Sequence, residues 1–195
     1  MKELKNIEEK ILDRALYLFG KNGSTKVSVR EIIKEAGVNI AAINYYFGTK
    51  ENMLLNVKEF YIDNINKAYS PLYNEELEDE EKLIECANEI IEYSLRYPGV
   101  LVMNKEALYS DKKDEMDIKI IESMKSANKK LDNVLKNVLY SEGEELKFKK
   151  TIFISSIVYP FIDETEEIFD KEIKECKDKR IEYIKYTIKS IKNKK

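Results

Sequence analysis

The side chains with the clearest capacity for specific chemistry lie between positions 28 and 50. They are hydroxyls, amides, phenols and cations, namely Ser28, Arg30, Asn39, Asn44, Tyr45, Tyr46 and Lys50. An Asn amide places a donor beside an acceptor, as an adenine edge does, and hydroxyls and cations pair with phosphate oxygens. These groups recognise a partner by hydrogen bonds and charge, and they favour nucleic-acid binding over catalysis.

Several kinds of chemistry are excluded by composition. The sequence has no His and no Trp, and its two cysteines, Cys86 and Cys176, stand 90 positions apart. Ser-His-Asp triads, Cys-His pairs, His-ligated zinc and Glu-x-x-His di-iron sites therefore cannot form. We therefore expect both cysteines to be small buried hydrophobic side chains of a protein in a reducing compartment. We expect no enzyme activity, no cofactor and no metal site.

The elements that position these groups are predicted to be helices. The 195 residues are 43% hydrophobic and 36% charged, with only 6 Gly and 3 Pro, a composition that supports a compact core with few helix breaks. Helical spacing of the apolar residues, with cap signals between segments, predicts an all-α protein of about nine helices. No apolar signal core or membrane-length apolar run is present, which predicts a cytoplasmic protein without a membrane partner.

Two short helices on either side of Gly37 carry most of the candidate groups. Ser28 and Glu31 have the spacing of a capping box, and Gly37 suits the left-handed residue after a helix end. Asn39 can cap the next helix, which Gly48 ends. This helix, turn and helix match the helix-turn-helix plan, in which the second helix enters the DNA major groove.

Apolar spacing predicts which side of the second helix faces inward. At about 100° per residue, Ile43 and Phe47 lie on one side and define the buried face. The outward arc then contains Asn44, Ala41, Tyr45 and Ala42. Two alanines allow a close approach and can touch a thymine methyl group, while Asn44 can pair with adenine.

Further groups can contact phosphates. Thr49 can cap a fourth helix over 50–69, whose amino end presents backbone amides together with Lys50. Ser28 and Arg30 lie at the first turn of the second helix. Each group also has an ordinary structural interpretation: Asn44 as a surface amide, Tyr46 as core packing and Arg30 as a helix-face charge.

Charge is divided unevenly along the chain. Residues 1–50 contain nine Lys and Arg against six Asp and Glu, a net of +3, whereas the remainder has a net of −6. A basic head on an acidic body fits a DNA-binding protein with a separate second domain, and ordinary fluctuation explains so small an excess equally well.

Two predicted helices near the carboxyl end, over about 144–169 and 172–192, have the pattern of an association surface. The first has apolar stripes on two sides, Phe148, Ile152, Ser155, Tyr159 and Ile162 on one and Ile154, Ile157, Val158 and Phe161 on the other. The second has one stripe, Ile181, Ile184, Ile188 and Ile191. These helices from two chains would form a twofold four-helix bundle. The alternative is that one chain's own core covers them.

Three segments together resemble a known family. They are Ile11–Phe19, Val27–Asn39 and Ala41–Glu51, with Phe19, Ile32, Ala36-Gly37-Val38, Tyr46-Phe47 and Lys50 as landmarks. In these residues the chain resembles the DNA-binding domain of the TetR family of transcriptional regulators. The resemblance covers roughly the first 55 residues.

The resemblance implies a DNA-binding domain over residues 1–50, a connecting fourth helix over 50–69, and a helical effector-binding and dimerisation domain over 51–195. It implies a homodimer on a pseudo-palindromic double-stranded operator, released by a small-molecule effector as in a repressor. The implied DNA contacts are Ser28, Arg30, Asn39, Ile40, Ala41, Ala42, Asn44, Tyr45, Tyr46 and Lys50. Many relatives have a basic residue in place of Ile40, and often Tyr and His in place of Asn44 and Tyr45, so the operator sequence is expected to differ. The alternative function is a helical ligand-binding or scaffold protein without DNA binding.

Overall fold

The computed structural model describes residues 6–159 and 171–193, and these residues are all-α, as predicted. They form ten α-helices and one 3-10 helix. The α-helices are α1 (Ile7–Asn22), α2 (Val29–Ala36), α3 (Ile40–Tyr46), α4 (Lys50–Tyr69), α5 (Asp79–Arg96), α6 (Val100–Tyr109), α7 (Glu115–Leu139), α8 (Gly143–Val158), α9 (Lys171–Glu175) and α10 (Lys177–Ile191). The 3-10 helix, Ser70–Tyr73, follows α4.

The count exceeds the expected nine because the last predicted helix is two. A single helix over 172–192 is wrong: the extended backbone at Cys176 (φ −108°, ψ 118°) separates α9 from α10. The Arg180 guanidinium donates to the Lys174 carbonyl oxygen at 2.7 Å, and so satisfies a group that the interrupted helix leaves open. The predicted eighth helix agrees with α8 in the described residues, and its continuation over 160–169 lies outside them.

The chain divides into two compact units. The first contains the described residues up to Asn64 together with Arg96–Ser123. The second contains Ile65–Leu95 and the described residues from Met124 onward. The first unit therefore includes α6 and the first turns of α7 beside α1, α2 and α3. The predicted boundary after residue 50 stays a prediction.

Apolar side chains from α1 to α4 form the core of the first unit. Its buried members include Ile11, Ala15, Leu16, Phe19, Ile32, Ala36, Ile43, Phe47, Met53 and Val57. Their spacing within each helix is that of one apolar stripe. Packing of these stripes holds α2 and α3 against α1, which is the arrangement that the helix-turn-helix pattern predicts.

A buried carboxylate joins α1 to the junction between α5 and α6. Asp13 is fully buried, and one of its oxygens accepts from Arg96 Nη2 at 2.7 Å and from the Tyr97 hydroxyl at 2.9 Å. Arg14 donates to the other oxygen through Nε at 2.7 Å. Burial alone would lower the pKa of Arg96, but the hydrogen bond to Asp13 and the charge interactions with its neighbours together outweigh burial and raise that pKa. The carboxylate is thus paired in the way a buried charge requires.

The second unit has its own apolar core. Its buried residues come from the 3-10 helix, α5, α7, α8 and α10, and include Leu72, Leu83, Ile91, Leu131, Leu135, Phe153 and Ile157. The stripe of α10 belongs to it: Ile184 and Ile188 are buried, and Ile181 and Ile191 pack against the cluster. The core of this chain therefore covers the apolar stripe of α10, which is the alternative to its use between two chains.

None of the helices in the described ranges is long and apolar enough to cross a membrane. Within residues 6–159 and 171–193, no group of three or more His, Cys, Asp or Glu side chains is arranged to hold a metal ion.

Candidate nucleic-acid interface

The start of α2 is fixed by a reciprocal cap. The Ser28 hydroxyl accepts from the Glu31 backbone N–H at 3.2 Å, and Glu31 Oε2 accepts from the Ser28 backbone N–H at 2.9 Å. The Ser28 hydroxyl also donates to Glu31 Oε2 at 2.6 Å. The predicted capping box is confirmed. The hydroxyl and the backbone N–H of Ser28 both take part in this cap. A DNA phosphate that contacts Ser28 would therefore have to share these groups with Glu31.

The cap also keeps a negative charge at Glu31, a residue that is not among the predicted DNA contacts. Hydrogen bonds from the Ser28 side chain and then from its backbone lower the pKa of Glu31. Glu31 therefore stays ionised at neutral pH, and places a negative charge beside Ser28 and Arg30 at the first turn of α2. The S-x-x-E spacing in the sequence is the signal for it.

The turn between α2 and α3 places α3 at a defined angle. Gly37 adopts φ 63° and its backbone N–H donates to the carbonyls of Ile33 and Lys34, the left-handed ending that glycine permits. Asn39 then caps α3, because its Oδ1 accepts from the Ala41 backbone N–H at 3.0 Å. The amide oxygen of Asn39 is therefore used within the protein.

The facing of α3 agrees with the prediction. Ile43 and Phe47 are 3% and 5% exposed and form the inward side. Ala41 and Asn44 are exposed, and the side chain of Tyr45 is 82% exposed. The outward arc is thus open to a partner, whereas the inward side fastens the helix to the core.

The remaining candidates on α3 are graded in exposure. Ile40 is 50% exposed, Tyr46 is 37% exposed, and Ala42 is half-buried. The Tyr45 and Tyr46 rings meet edge to face, with centroids 4.9 Å apart. This contact orients the most exposed aromatic ring of α3.

The fourth helix begins beside the end of α3. The Thr49 hydroxyl accepts from the Asn52 backbone N–H at 3.1 Å, and α4 starts at Lys50. The predicted cap and helix start are confirmed. Lys50 is half-buried. Arg30 and Ser28 are exposed at the start of α2.

Two polar contacts that the sequence did not predict support this region from α6 and α7. The Thr25 hydroxyl, in the turn before α2, donates to both oxygens of Glu106 on α6, at 2.6 and 2.8 Å. Lys58 on α4 donates to Asp114 and Asp117, each at 2.6 Å. The partners are 81, 56 and 59 positions apart, and no local pattern connects them.

These elements define an all-helical protein with an exposed helix-turn-helix near its amino terminus. The family model for bacterial regulatory proteins of the tetR family matches residues 11–57. The segment covers all of α2 and α3, most of α1 and the start of α4. In residues 11–57 the chain thus matches the tetR family, and its all-α fold is similar to that of TetR-family regulators.

Curated relatives match about half of the chain or less. The probable HTH-type transcriptional regulator YttP of Bacillus subtilis (strain 168) is 33% identical over 90 residues, which cover 44% of this chain and 42% of the relative. The HTH-type transcriptional repressor NicS of Pseudomonas putida is 32% identical over 102 residues, covering 52% of this chain and 48% of the relative. In both cases the match spans less than half of the relative.

Solved structures share the fold over nearly the whole chain. The TetR family transcriptional regulator PfmR from Thermus thermophilus is 18% identical, with a TM-score of 0.62 over 89% of this chain and 96% of that one. LfrR from Mycobacterium smegmatis, crystallised in complex with proflavine, is 13% identical, with a TM-score of 0.60 over 91% of this chain and 95% of that one. At these identities the likeness concerns the fold.

Proposed function

We propose that this protein is a sequence-specific DNA-binding transcriptional regulator in the cytoplasm, and that it acts as a homodimer on a pseudo-palindromic operator. The observation that carries the proposal is the facing of α3, with Ile43 and Phe47 in the core and Asn44 and Tyr45 exposed. A recognition helix must be anchored on one side and open on the other to enter a major groove. The names of the relatives, an HTH-type regulator and an HTH-type repressor, support the same function.

The contacts divide by chemistry into those that read bases and those that position the protein. Asn44 pairs with an adenine edge, and Ala41 and Ala42 allow α3 to approach the bases closely. Arg30 and Lys50 bind phosphates on either side of the groove, aided by the amino end of α4. Ser28, Asn39 and the tyrosine hydroxyls add hydrogen bonds at the edge of this surface.

The experiment that tests this function is selection of bound fragments from randomised duplex DNA by the purified protein. We expect an enriched inverted repeat whose half-sites lie about 34 to 36 Å apart, since two recognition helices enter successive major grooves. Failure to bind any duplex at low salt would overturn the proposal, and would favour a helical ligand-binding or scaffold protein.

The dimer is proposed to form through α8 with support from α10. On α8, Phe148 is 62% exposed, and Ile152, Ser155 and Tyr159 continue the same exposed stripe. The predicted fifth member, Ile162, lies outside the described residues. Tyr186 on α10 is also exposed. A contiguous apolar stripe of this kind is typical of a protein interface.

Sedimentation at micromolar concentration tests the dimer. We expect a dimer for the unmodified protein and a monomer for Ile152→Glu, because the substitution places a charge in the centre of the apolar stripe. Thr151→Glu, exposed on the same helix one position away, is the matched control and should remain dimeric. A monomeric unmodified protein would remove the dimer from the proposal.

The release step is proposed to follow from a small-molecule effector of the second domain. The structural neighbour LfrR was crystallised with proflavine, which supports a ligand-binding role for this fold. An effector weakens DNA binding only by the difference between its affinities for the binding-competent and incompetent conformations. The protein is thus proposed to act as a ligand-released repressor.

A further inference from the structure

The outer surface of α3 has no charged side chain. Its seven residues, Ile40 to Tyr46, include no Lys, Arg, Asp or Glu. The exposed side chains on this helix are those of Ile40, Ala41, Asn44, Tyr45 and Tyr46. This surface consists of aliphatic groups, two phenol rings and one amide.

This composition limits which bases α3 can read. Guanine is most often read by Arg or Lys through O6 and N7, and cytosine through its N4 amino group by Asp or Glu. Adenine is read by Asn or Gln through N6 and N7, and thymine by apolar contact with its C5 methyl group. Only the last two kinds of contact are strongly represented on α3.

The exposed residues are also arranged to read neighbouring base pairs. Residues four apart on a helix lie on nearly the same side, so Ile40 is adjacent to Asn44, and Ala41 to Tyr45. An apolar group and an amide therefore face the groove together, as an adenine paired with thymine requires. The edge-to-face contact with Tyr46 holds the Tyr45 ring beside them.

The basic residues that precede and follow α3 in the sequence belong to other helices. Arg30 and Lys34 are exposed on α2, and Lys50 is the first residue of α4. The proposed function assigns Arg30 and Lys50 to phosphates.

We infer that the base pairs facing α3 in each operator half-site are A·T pairs, read as adenine by Asn44 and as thymine methyl groups by Ile40, Ala41 and Tyr45. The inference rests on the proposed function and specifies the class of DNA that the protein selects. We expect no guanine contact from the surface of α3, because it presents no Arg or Lys.

The first test uses the operator recovered from randomised DNA. Each half-site thymine is replaced singly by deoxyuridine, which removes the C5 methyl group and leaves the base pairing intact. We expect at least one replacement in each half-site to raise Kd about three- to tenfold, and replacement of a thymine outside the half-sites to leave Kd unchanged.

Variants assign the effect to residues. Ile40→Ala should weaken binding to the thymine-containing operator and lose the response to deoxyuridine at one position. Asn44→Arg should change the selected base at one pair from adenine to guanine, because a guanidinium matches guanine O6 and N7. Helix content by circular dichroism should match the unmodified protein in both variants, since both side chains are exposed.

The possible outcomes distinguish failure of the inference from failure of the proposed function. A recovered operator with G·C pairs opposite α3, or one whose Kd is unchanged at every deoxyuridine position, overturns the inference and leaves the DNA-binding function standing. Selection that enriches no sequence overturns the proposed function, and the inference with it.

Discussion

Gly20 and Gly99 pack backbone against backbone. A Cβ atom on Gly20 would lie 2.1 Å from the Gly99 nitrogen and 2.2 Å from the Pro98 carbonyl carbon, while a Cβ on Gly99 would lie 2.1 Å from the Leu16 carbonyl oxygen. Neither neighbour is a flexible side-chain end that could move aside. The close approach of α1 to the start of α6 therefore requires glycine on both sides.

Gly20→Ala should destabilise the protein, although helix propensity alone favours alanine over glycine. In an isolated helix the change would stabilise by roughly 0.5 to 1 kcal/mol, but here the added methyl group meets backbone, and overpacking of this kind costs about 1 to 3 kcal/mol. Urea unfolding measures the change, with the exposed neighbour Lys21→Ala as control. A Gly20→Ala variant more stable than the unmodified protein would show that the two backbones are not in contact.

Lys58→Met should destabilise the protein in a pH-dependent way. Burial would raise the pKa of Asp114, but the hydrogen bond and charge of Lys58, together with two backbone hydrogen bonds, outweigh burial and hold that pKa below its usual 3.8. A lowered carboxyl pKa stabilises the fold above about pH 3.8, and the contribution is lost as the pH falls through the folded value. We expect the free energy of unfolding of the variant to be about 1 to 2 kcal/mol lower at pH 7. This value is kept small because Asp114 is partly exposed and water screens its charge.

The same difference should shrink as the pH is lowered from about 4 towards 3, as measured by urea unfolding at each pH. Lys119→Met is the matched control, because Lys119 pairs with Glu115 on an exposed surface and its removal should have much less effect at neutral pH. A Lys58→Met deficit that stays constant over the whole acidic range would contradict the proposed role of the ion pair.

The sequence predicted the local elements of the interface well because their causes are local. The Ser28–Glu31 cap, the Gly37 turn, the Asn39 cap and the inward facing of Ile43 each depend on residues within a few positions. The same holds for most helix bounds. Their agreement with the structure follows from rules that operate over a single helical turn.

The contacts that support the interface from elsewhere could not be predicted in this way. Asp13 stands among the apolar residues of α1, and its position signals a buried carboxylate that needs a cation. Nothing in the sequence selects Arg96, 83 positions away, over the other basic residues. At the helix break at Cys176, the Arg180 side chain donates to the Lys174 carbonyl oxygen and also pairs with Glu92, 88 positions away.

Glu31→Gln should strengthen binding to all duplexes alike. Gln can retain the capping box, while the substitution removes a negative charge beside Ser28 and Arg30, where the interface is proposed to meet phosphates. We expect Kd to fall by a similar factor for operator and unrelated DNA. Glu122→Gln, exposed on α7, should change neither Kd, and unaltered binding by Glu31→Gln would place the first turn of α2 away from the DNA backbone.

Asn44→Ala and Lys50→Ala should separate base reading from phosphate binding. Loss of the Asn44 amide removes a base contact, so the preference for operator over unrelated DNA should fall by about 1 to 3 kcal/mol. Loss of the Lys50 ammonium removes a phosphate contact, so affinity should fall by a similar factor for every sequence, with the salt slope of log K reduced by about one. Fluorescence anisotropy at several salt concentrations measures both quantities, with the exposed Lys129→Ala as control. If Asn44→Ala leaves the preference unchanged while binding persists, the outward side of α3 does not read the bases.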